Sequence, residues 1–395
     1  MRRAYIIGIS DSHKQWFSPE VTSVISAGNV FSGGKRHHEI VTPWLPADAQ
    51  WIDIIVPLQD VFNQYDGYDD IVIFASGDPL FYGFANTILR EFPDVEIKIY
   101  PTFNSLQMLA HRMCLPYHDM HIVSLTGRPW DKFDEAIING EKLIGVLTDR
   151  KHTPQAIRQR MLDYGYDNYT MTIGENLGNE VKERITTLSP SDDFDTDKSF
   201  DIPNCLILQK TYDRKKPFGI PETDFALLDG RAKMITKMPV RLVSLSFLDL
   251  YCRKNFWDVG FCTGSVSIEA KLQFPHLSVT SFEIREEGRS LIEENSKRFG
   301  ALGITPIIGD FLEQDVSAYP APDAIFIGGY GGKLPEFIKK LHNIMLPDGC
   351  IVFNSVSEQS RQTFIDSINS VGMKITRSTK VTVDEHNPIY ILKAE

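Results

Sequence analysis

The chain has 395 residues, 42% hydrophobic and 24% charged, which is ordinary globular composition and too long for one core, so two domains are expected. Its formal net charge of −11 excludes a general nucleic-acid binder, because nonspecific affinity for phosphates comes from clustered Lys and Arg; an anionic substrate needs a local basic patch. Five scattered cysteines, Cys114, Cys205, Cys252, Cys262 and Cys350, contain no Cys-x-x-Cys pair, which suits a reducing compartment and small core roles. The apolar run after Met1-Arg2-Arg3 is too short for a signal peptide, and no run nears the roughly 20 residues that span a bilayer. A cytoplasmic protein without membrane or nucleic-acid partners is expected. His118 and His121 are spaced like half a metal site, and two ligands do not complete a tetrahedron, so no metal is expected.

The first run, Ala4 to Ile9, reads as a buried strand, and Ser18-Pro19-Glu20 starts a helix. Further strand-like runs follow at Ile71–Ala75, Val95–Tyr100, His121–Leu125 and Leu143–Leu147, with helical stretches at Phe84–Phe92 and Thr153–Tyr164. This alternation predicts an α/β domain with a largely parallel sheet, where ligands sit beyond the carboxyl ends of the strands. The informative residues are then Ser76 to Gly83, Pro101 to Ser105 and Thr148-Asp149-Arg150. The acidic stretch Ser189 to Asp201 reads as a solvated loop, and Asn204–Gln209 as a last strand. Lys210 to Pro217 is a charged, Pro-terminated linker that divides domains at 1–212 and 213–395.

In the second half, Met234 to Arg241 leads into a helix reaching Tyr251. At Phe256 to Ser265 a buried-strand pattern becomes a helix start with glycines at the bend, and Glu283 closes the next apolar run, Leu277–Phe282. Such a turn leaves backbone N–H groups unpaired, and the later carboxylate can accept from two ribose hydroxyls, so a nucleoside cofactor is expected. Gly260 and Gly264, with Asp258 before them, do not follow Gly-x-Gly-x-x-Gly, and the spacing favours S-adenosylmethionine over NAD. Cys262 stands where a middle glycine is usual and reads as a small packing residue. A helix from Arg285 to Phe299 capped by Gly300 follows, then strands at Pro306–Ile308, Ala324–Ile327 and Cys350–Asn354, a helix at Leu334–Met345, and runs at Met373–Ile375 and Ile389–Leu392. That makes about seven strands in a doubly wound sheet.

Ser76-Gly77-Asp78-Pro79-Leu80-Phe81-Tyr82-Gly83, Val146 to Asp149 with His152-Thr153-Pro154, and Ile173 to Gly178 together resemble the tetrapyrrole methylase family. Gly33-Gly34-Lys35-Arg36-His37 resembles its cobalamin-pathway branch acting on precorrin-6Y. Ile235-Thr236-Lys237, Asp258-Val259-Gly260, Gly264 to Glu269, Gly309-Asp310 and Pro322 to Gly329 resemble the C15-methylating, decarboxylating family of the same step. The resemblance implies a tetrapyrrole methylase fold of two α/β subdomains followed by a Rossmann-like class I S-adenosylmethionine-dependent methyltransferase domain. One S-adenosylmethionine is implied per domain. In the first, Ser76, Gly77, Asp78 and Phe81 line the methionine end, with Asn104, Ser105 and Thr148 nearby. In the second, Thr236 and the turn Gly260, Phe261, Cys262, Thr263 and Gly264 after Asp258 surround the methionine portion, Glu283 takes the ribose, and Asp310 with Phe311 meets the adenine. Gly328, Gly329, Tyr330, Gly331 and Gly332 form a floor facing the substrate, and Lys333, Lys237 and Arg241 are candidates for its carboxylates. The implied reaction is methylation of a corrin precursor at C5 by the first domain, and methylation at C15 with loss of the C12 acetate carboxyl by the second, in a homo-oligomer.

One departure stands out. The family's first loop is usually Gly-x-Gly-Pro-Gly, and this chain has Gly8-Ile9-Ser10-Asp11-Ser12. An alternative reading therefore keeps the first half as a tetrapyrrole-binding scaffold and leaves methylation to the second. An NAD-linked oxidoreductase is the other alternative.

Overall fold

The apolar run near the N-terminus becomes β1 (Arg3–Ile9), the fourth of five parallel strands in the first sheet. The others are β2 (Val30–Gly33), β3 (Gln50–Asp53), β4 (Asp70–Ser76) and β5 (Glu96–Tyr100), and the order is β3-β2-β4-β1-β5. This is a computed structural model, and it describes residues 1–192, 199–230, 234–384 and 387–395. Most residues of β1 and β4 are buried, as expected of a parallel sheet covered on both faces. The first helix, Pro19–Ala27, starts where the sequence indicates: Pro19 opens it and the Ser18 side chain accepts from the Val21 amide.

The second sheet contains β6 (His121–Ser124), β7 (Leu143–Leu147), β8 (Tyr169–Glu175), β9 (Arg184–Leu188) and β10 (Asn204–Lys210), in the order β6-β7-β10-β8-β9. Only β6 and β7 pair in parallel; the other three pairings are antiparallel, against the expectation of a largely parallel sheet. The connection from β8 to β9, residues 176–183, is too short for a parallel crossover and closes a hairpin. Part of the acidic stretch after β9, residues 193–198, lies outside the described residues; before it, the Arg158 guanidinium donates to the Ser189 and Asp192 carbonyls.

The third sheet holds seven strands: β11 (Asn255–Val259), β12 (Ser278–Glu283), β13 (Ile304–Ile308), β14 (Ala324–Ile327), β15 (Cys350–Ser355), β16 (Ile375–Val381) and β17 (Ile389–Ala394). Their order is β13-β12-β11-β14-β15-β17-β16, and β17 is antiparallel to both neighbours. Alternate residues feed two cores. Trp257, Val259, Ile325, Ile327 and Phe353 pack in one, and Phe256, Ala324, Phe326 and Val352 in the other, as the two-residue strand repeat requires. Each large side chain so buried stabilises the fold by about 1.5–3 kcal/mol. Strand order reverses between β11 and β14, so the loops that follow them open the crevice where ligands bind in such sheets.

The chain divides into two compact units, 1–128 with 142–158 and 169–211, and 129–141 with 159–168 and 212–395. The cysteines are free: Cys205 and Cys350 are buried and Cys262 half-buried, while Cys114 and Cys252 are exposed, contrary to a core role for all five. Among the described residues no helix is long and apolar enough to cross a membrane, and no three His, Cys, Asp or Glu side chains cluster as metal ligands.

Candidate functional site

In the second unit a cavity of about 1020 Å³ opens at the point where the strand order reverses. Its wall includes Thr236, Asp258, Gly260, Phe261, Cys262, Thr263, Glu283, Asp310, Phe311, Gly328, Gly329, Tyr330 and Gly331, which are most of the residues expected there from sequence. Gly264 and Gly332 are outside that lining. Gly264 begins the helix Ser265–Gln273 at φ +75, and a Cβ there would lie 2.5 Å from Ile292.

The two loops at the crevice touch through their glycines. The Val259 carbonyl accepts from the Gly328 amide at 2.8 Å and the Gly329 amide at 3.2 Å. A Cβ on Gly260, whose φ is +80, would fall 2.4 Å from the Gly329 nitrogen. Backbone alone fits there. Cys262 has φ +53, in the left-handed region that favours glycine, which is the physical meaning of the usual glycine at this place. Burial pushes its thiol up to about 11, so it stays protonated and packs.

Glu283, 3% exposed in its side chain, is already oriented. Its Oε1 accepts from the Ile284 amide at 3.0 Å and from the Arg285 amide and guanidinium at 3.1 Å, while among the described residues Oε2 accepts only the Cys262 amide, at 2.9 Å. Oε2 therefore keeps acceptor capacity for a hydroxyl. Asp310 Oδ1 accepts the Leu312 amide at 2.9 Å, and its Oδ2 lies 3.4 Å from Lys333 Nζ; the amide first and then the lysine hold its carboxyl below the usual range. Phe311 lines the cavity and packs against Phe282 and Phe337. Lys340, which no sequence signal marks, donates to the Phe311, Leu312 and Gln314 carbonyls at 2.6, 3.1 and 2.8 Å and so fixes this loop.

Of the three candidate substrate cations, Lys237 and Lys333 line the cavity. Arg241 does not: it is wholly buried and paired to Glu269 at 3.0 Å, which corrects its assignment to substrate. The far wall, with Met234, Asn354, Asn387 and Ile389, was not anticipated, because it comes from three segments distant in sequence.

Asp258 is wholly buried. Its Oδ2 accepts from the Ser267 hydroxyl at 2.5 Å and amide at 3.2 Å, and its Oδ1 has no hydrogen-bond partner among the described residues. Burial pushes its carboxyl up to about 7, with the Ser267 contacts opposing. An unfolded aspartate titrates near ~3.9. The folded state therefore holds a proton that the unfolded chain has lost, and stability falls as pH rises from about 4 to about 7, then levels. Asp258→Asn carries no charge there, so its melting temperature relative to wild type should rise between pH 5 and pH 8. A difference that does not change with pH would count against the buried, proton-sharing carboxyl.

In the first unit the ends of β1, β4 and β5 converge. A Cβ on Gly8 would lie 2.0 Å from the Gly77 carbonyl oxygen and 2.9 Å from the Thr102 amide, and Gly77 at φ +62 abuts Asn104. Gly8 thus keeps its role although the rest of the first loop departs from the family pattern. Asp78 Oδ1 accepts the Leu80 amide at 2.9 Å. Asn104 caps the helix Ser105–Arg112 by accepting the Gln107 amide at 2.9 Å, while the Gln107 side chain returns to the Asn104 amide. Thr148 Oγ1 is 2.6 Å from both the carbonyl and the side-chain oxygen of Asn204, and Phe81 packs against the Leu106, Leu109 and Ile207 core. Ser76 is exposed and bonded to Arg36 and His37.

The family described as Precorrin methyltransferase domain matches residues 229–390, and Tetrapyrrole (Corrin/Porphyrin) Methylases matches residues 5–190. Over 377 residues the chain is 27% identical to a Sinorhizobium sp protein named precorrin-6Y C(5,15)-methyltransferase (decarboxylating), covering 94% of this chain and 89% of that one. It is 34% identical over 149 residues to the cobalt-precorrin-6B C(15)-methyltransferase (decarboxylating) of Salmonella typhimurium, covering 38% of this chain and 76% of that protein. It is 29% identical over 191 residues to the cobalt-precorrin-7 C(5)-methyltransferase of the same organism, covering 47% and 90%. One family match over the strands β1 to β9 and another over the third sheet, with similarity along 94% of the chain to a protein named for both positions, lead to one conclusion: the chain belongs to the precorrin-6Y C5,15-methyltransferase (decarboxylating) family.

Proposed function

We propose that this chain methylates a corrin precursor at C5 and C15 and removes the carboxyl group of the C12 acetate, a step of cobalamin biosynthesis. The observation that carries this reading is the similarity along 94% of the chain to a protein named for both methylations and the decarboxylation. Residues 1–212 act as the C5-methylating domain and 213–395 as the C15-methylating, decarboxylating domain. A homo-oligomer in the cytoplasm belongs to the same proposal.

Each domain has a cradle suited to S-adenosylmethionine, which supplies an electrophilic methyl group when bound. In the second domain Gly260 packs on the Gly329 backbone too closely for any side chain, which holds the two loops of the crevice together, and Glu283 Oε2 has acceptor capacity for a ribose hydroxyl. Thr236 and the turn from Gly260 to Gly264 would hold the methionine portion, and Asp310 with Phe311 the adenine. Gly328 to Gly332 would support the macrocycle, with Lys237 and Lys333 meeting its carboxylates. In the first domain Ser76, Gly77, Asp78, Asn104, Ser105 and Thr148 would take the methionine end, with Phe81 fixing the loop.

What the chain contributes to the chemistry is orientation. A carbon nucleophile held in line with the methyl group needs little from an acid or base, and good positioning supplies much of the acceleration. Decarboxylation needs an electron sink, and the conjugated macrocycle is one. The Cys262 thiol, protonated at neutral pH, is not a nucleophile here.

Titration calorimetry with S-adenosylhomocysteine tests the reading. Two sites per chain are expected, one lost in Glu283→Ala and the other weakened in Asp78→Ala. A single site indifferent to Glu283→Ala would sink the assignment of the second domain. If residues of the first domain only carry the macrocycle, product mass spectra will show the C15 methyl and CO2 loss without a C5 methyl.

A further inference from the structure

The stretch Gly33-Gly34-Lys35-Arg36-His37 and the altered first loop meet at the carboxyl end of the first sheet, and their contacts define a receptor with a particular chemistry. Arg36 donates from Nη2 to the Ser76 hydroxyl oxygen at 2.9 Å, and its Nη1 lies 3.2 Å from Asp11 Oδ1. His37 Nδ1 accepts the Gly34 amide at 3.2 Å, which puts the ring proton on Nε2, 2.9 Å from the same Ser76 oxygen. Burial, and then Arg36, push His37 down to about 4, so the ring is neutral and this tautomer persists at physiological pH. Arg36 and His37 both face the Ser76 oxygen as donors, with the Phe74 carbonyl a second acceptor for the His37 ring, so the Ser76 proton is directed away from them. Ser76 is exposed, so a fixed O–H donor stands beside a guanidinium at the carboxyl end of β4.

The first loop is tied down to match. Ser12 Oγ donates to Glu180 at 2.6 Å, and Gln15 Nε2 donates to the Ser10 and Ser12 carbonyls at 2.9 and 2.6 Å. Asp11 is therefore carried on an ordered loop, and the ion pair sets the direction of the Arg36 fork.

We propose that Arg36 and Ser76 together receive a carboxylate during C5 methylation, with Asp11 and His37 as the residues that position them. This rests on the C5-methylating reading above. An O–H and a guanidinium side by side match the two oxygens of a carboxylate, and in a chain of net charge −11 a local cation is what an acidic ligand needs. The carboxylate has two possible sources, the methionine end of the cofactor and the acid side chains of the tetrapyrrole.

Full-length Arg36→Gln and Ser76→Ala proteins distinguish them. S-adenosylhomocysteine affinity at each site is measured by calorimetry, and KM for the tetrapyrrole is measured in C5 methylation, with C15 methylation by the same molecule as the control for folding. A charge-assisted contact of this kind changes the affected constant by about ten- to a hundredfold. Weakened cofactor binding at one site assigns the carboxylate to the cofactor; raised KM with intact cofactor binding assigns it to the tetrapyrrole. Arg36→Lys, which keeps the charge and loses the fork, recovers part of the effect. Asp11→Asn moves the same constant with kcat unchanged. Unaltered cofactor affinity and KM in both Arg36→Gln and Ser76→Ala, with normal C15 methylation, overturn the proposal. Failure of the wild type to add the C5 methyl overturns the C5 reading instead.

Discussion

Gly260→Ala is expected to lower C15 methylation and its coupled decarboxylation by about a hundredfold or more, while C5 methylation persists. The added methyl would lie 2.4, 2.5 and 2.6 Å from the nitrogen, Cα and oxygen of Gly329. These are backbone atoms and cannot swing aside like a side-chain tip, so one loop must retreat from the other. A shift of about 1 Å at a site whose acceleration rests on alignment is worth about 10²-fold. The left-handed backbone at φ +80 adds about 1 kcal/mol of its own. Gly372→Ala separates the two effects: its φ is +83, it is outside the cavity lining, and no heavy atom of the described residues lies within 4 Å of the added methyl, so only the smaller backbone penalty applies. Product mass spectra and S-adenosylhomocysteine titration of both variants make the comparison. Equal activity of Gly260→Ala and Gly372→Ala would mean that contact between the two glycine loops does not matter.

The third sheet was legible in the sequence because its strands are short apolar runs punctuated by helix signals, and the expected strands from Phe256 to Leu392 are present except that β16 starts at Ile375, where the expected run Met373–Ile375 ends. The antiparallel β17 was not legible, since nothing in Ile389–Ala394 itself states direction; its place between β15 and β16 departs from an all-parallel dinucleotide-binding sheet. In the first unit β2 escaped notice because its centre is polar. Ser32 is fully buried, and its hydroxyl is satisfied by the Ile52 carbonyl at 2.8 Å and the Tyr65 hydroxyl at 2.6 Å, so a core residue there does not look like one. The strand β8 was hidden similarly: Glu175 at its end is buried against Arg184 at 2.5 Å. At the site, Gly260, Gly264 and Glu283 could be proposed from spacing, since backbone geometry dictates such a turn, whereas Asp310 and the run Gly328 to Gly332 came from the family resemblance. Roles of cations could not. Arg36 and Arg241 look equivalent in sequence, yet one rests on an exposed hydroxyl and the other is enclosed, a distinction made only by packing.

Arg241→Ala is the substitution expected to destabilise the second unit most, by about 3–5 kcal/mol, because it leaves Glu269 buried without its cation. The pair is more than an ion pair. Arg241 also donates to the Thr236 carbonyl at 2.9 Å and to the Ile220 carbonyl, while Glu269 accepts the Gly219 and Ile220 amides at 2.6 and 3.2 Å. Replacing both residues by Met and Leu, which often rescues a buried ion pair, should fail here, since two amides and two carbonyls would lose their partners at once. Denaturant unfolding of the full-length protein should therefore show the double variant still well below wild type, and a rescued double variant would show that the backbone contacts are dispensable. Thr236 lines the cavity, so on the proposed function the same lesion reaches activity: S-adenosylhomocysteine affinity at the Glu283 site should weaken in Arg241→Ala under conditions where the protein remains folded. Stability within about 0.5 kcal/mol of wild type would refute this account, since changes of that size are ordinary for surface positions. What sequence offered as a hand for the substrate is, in the fold, the peg that holds the cavity's rim.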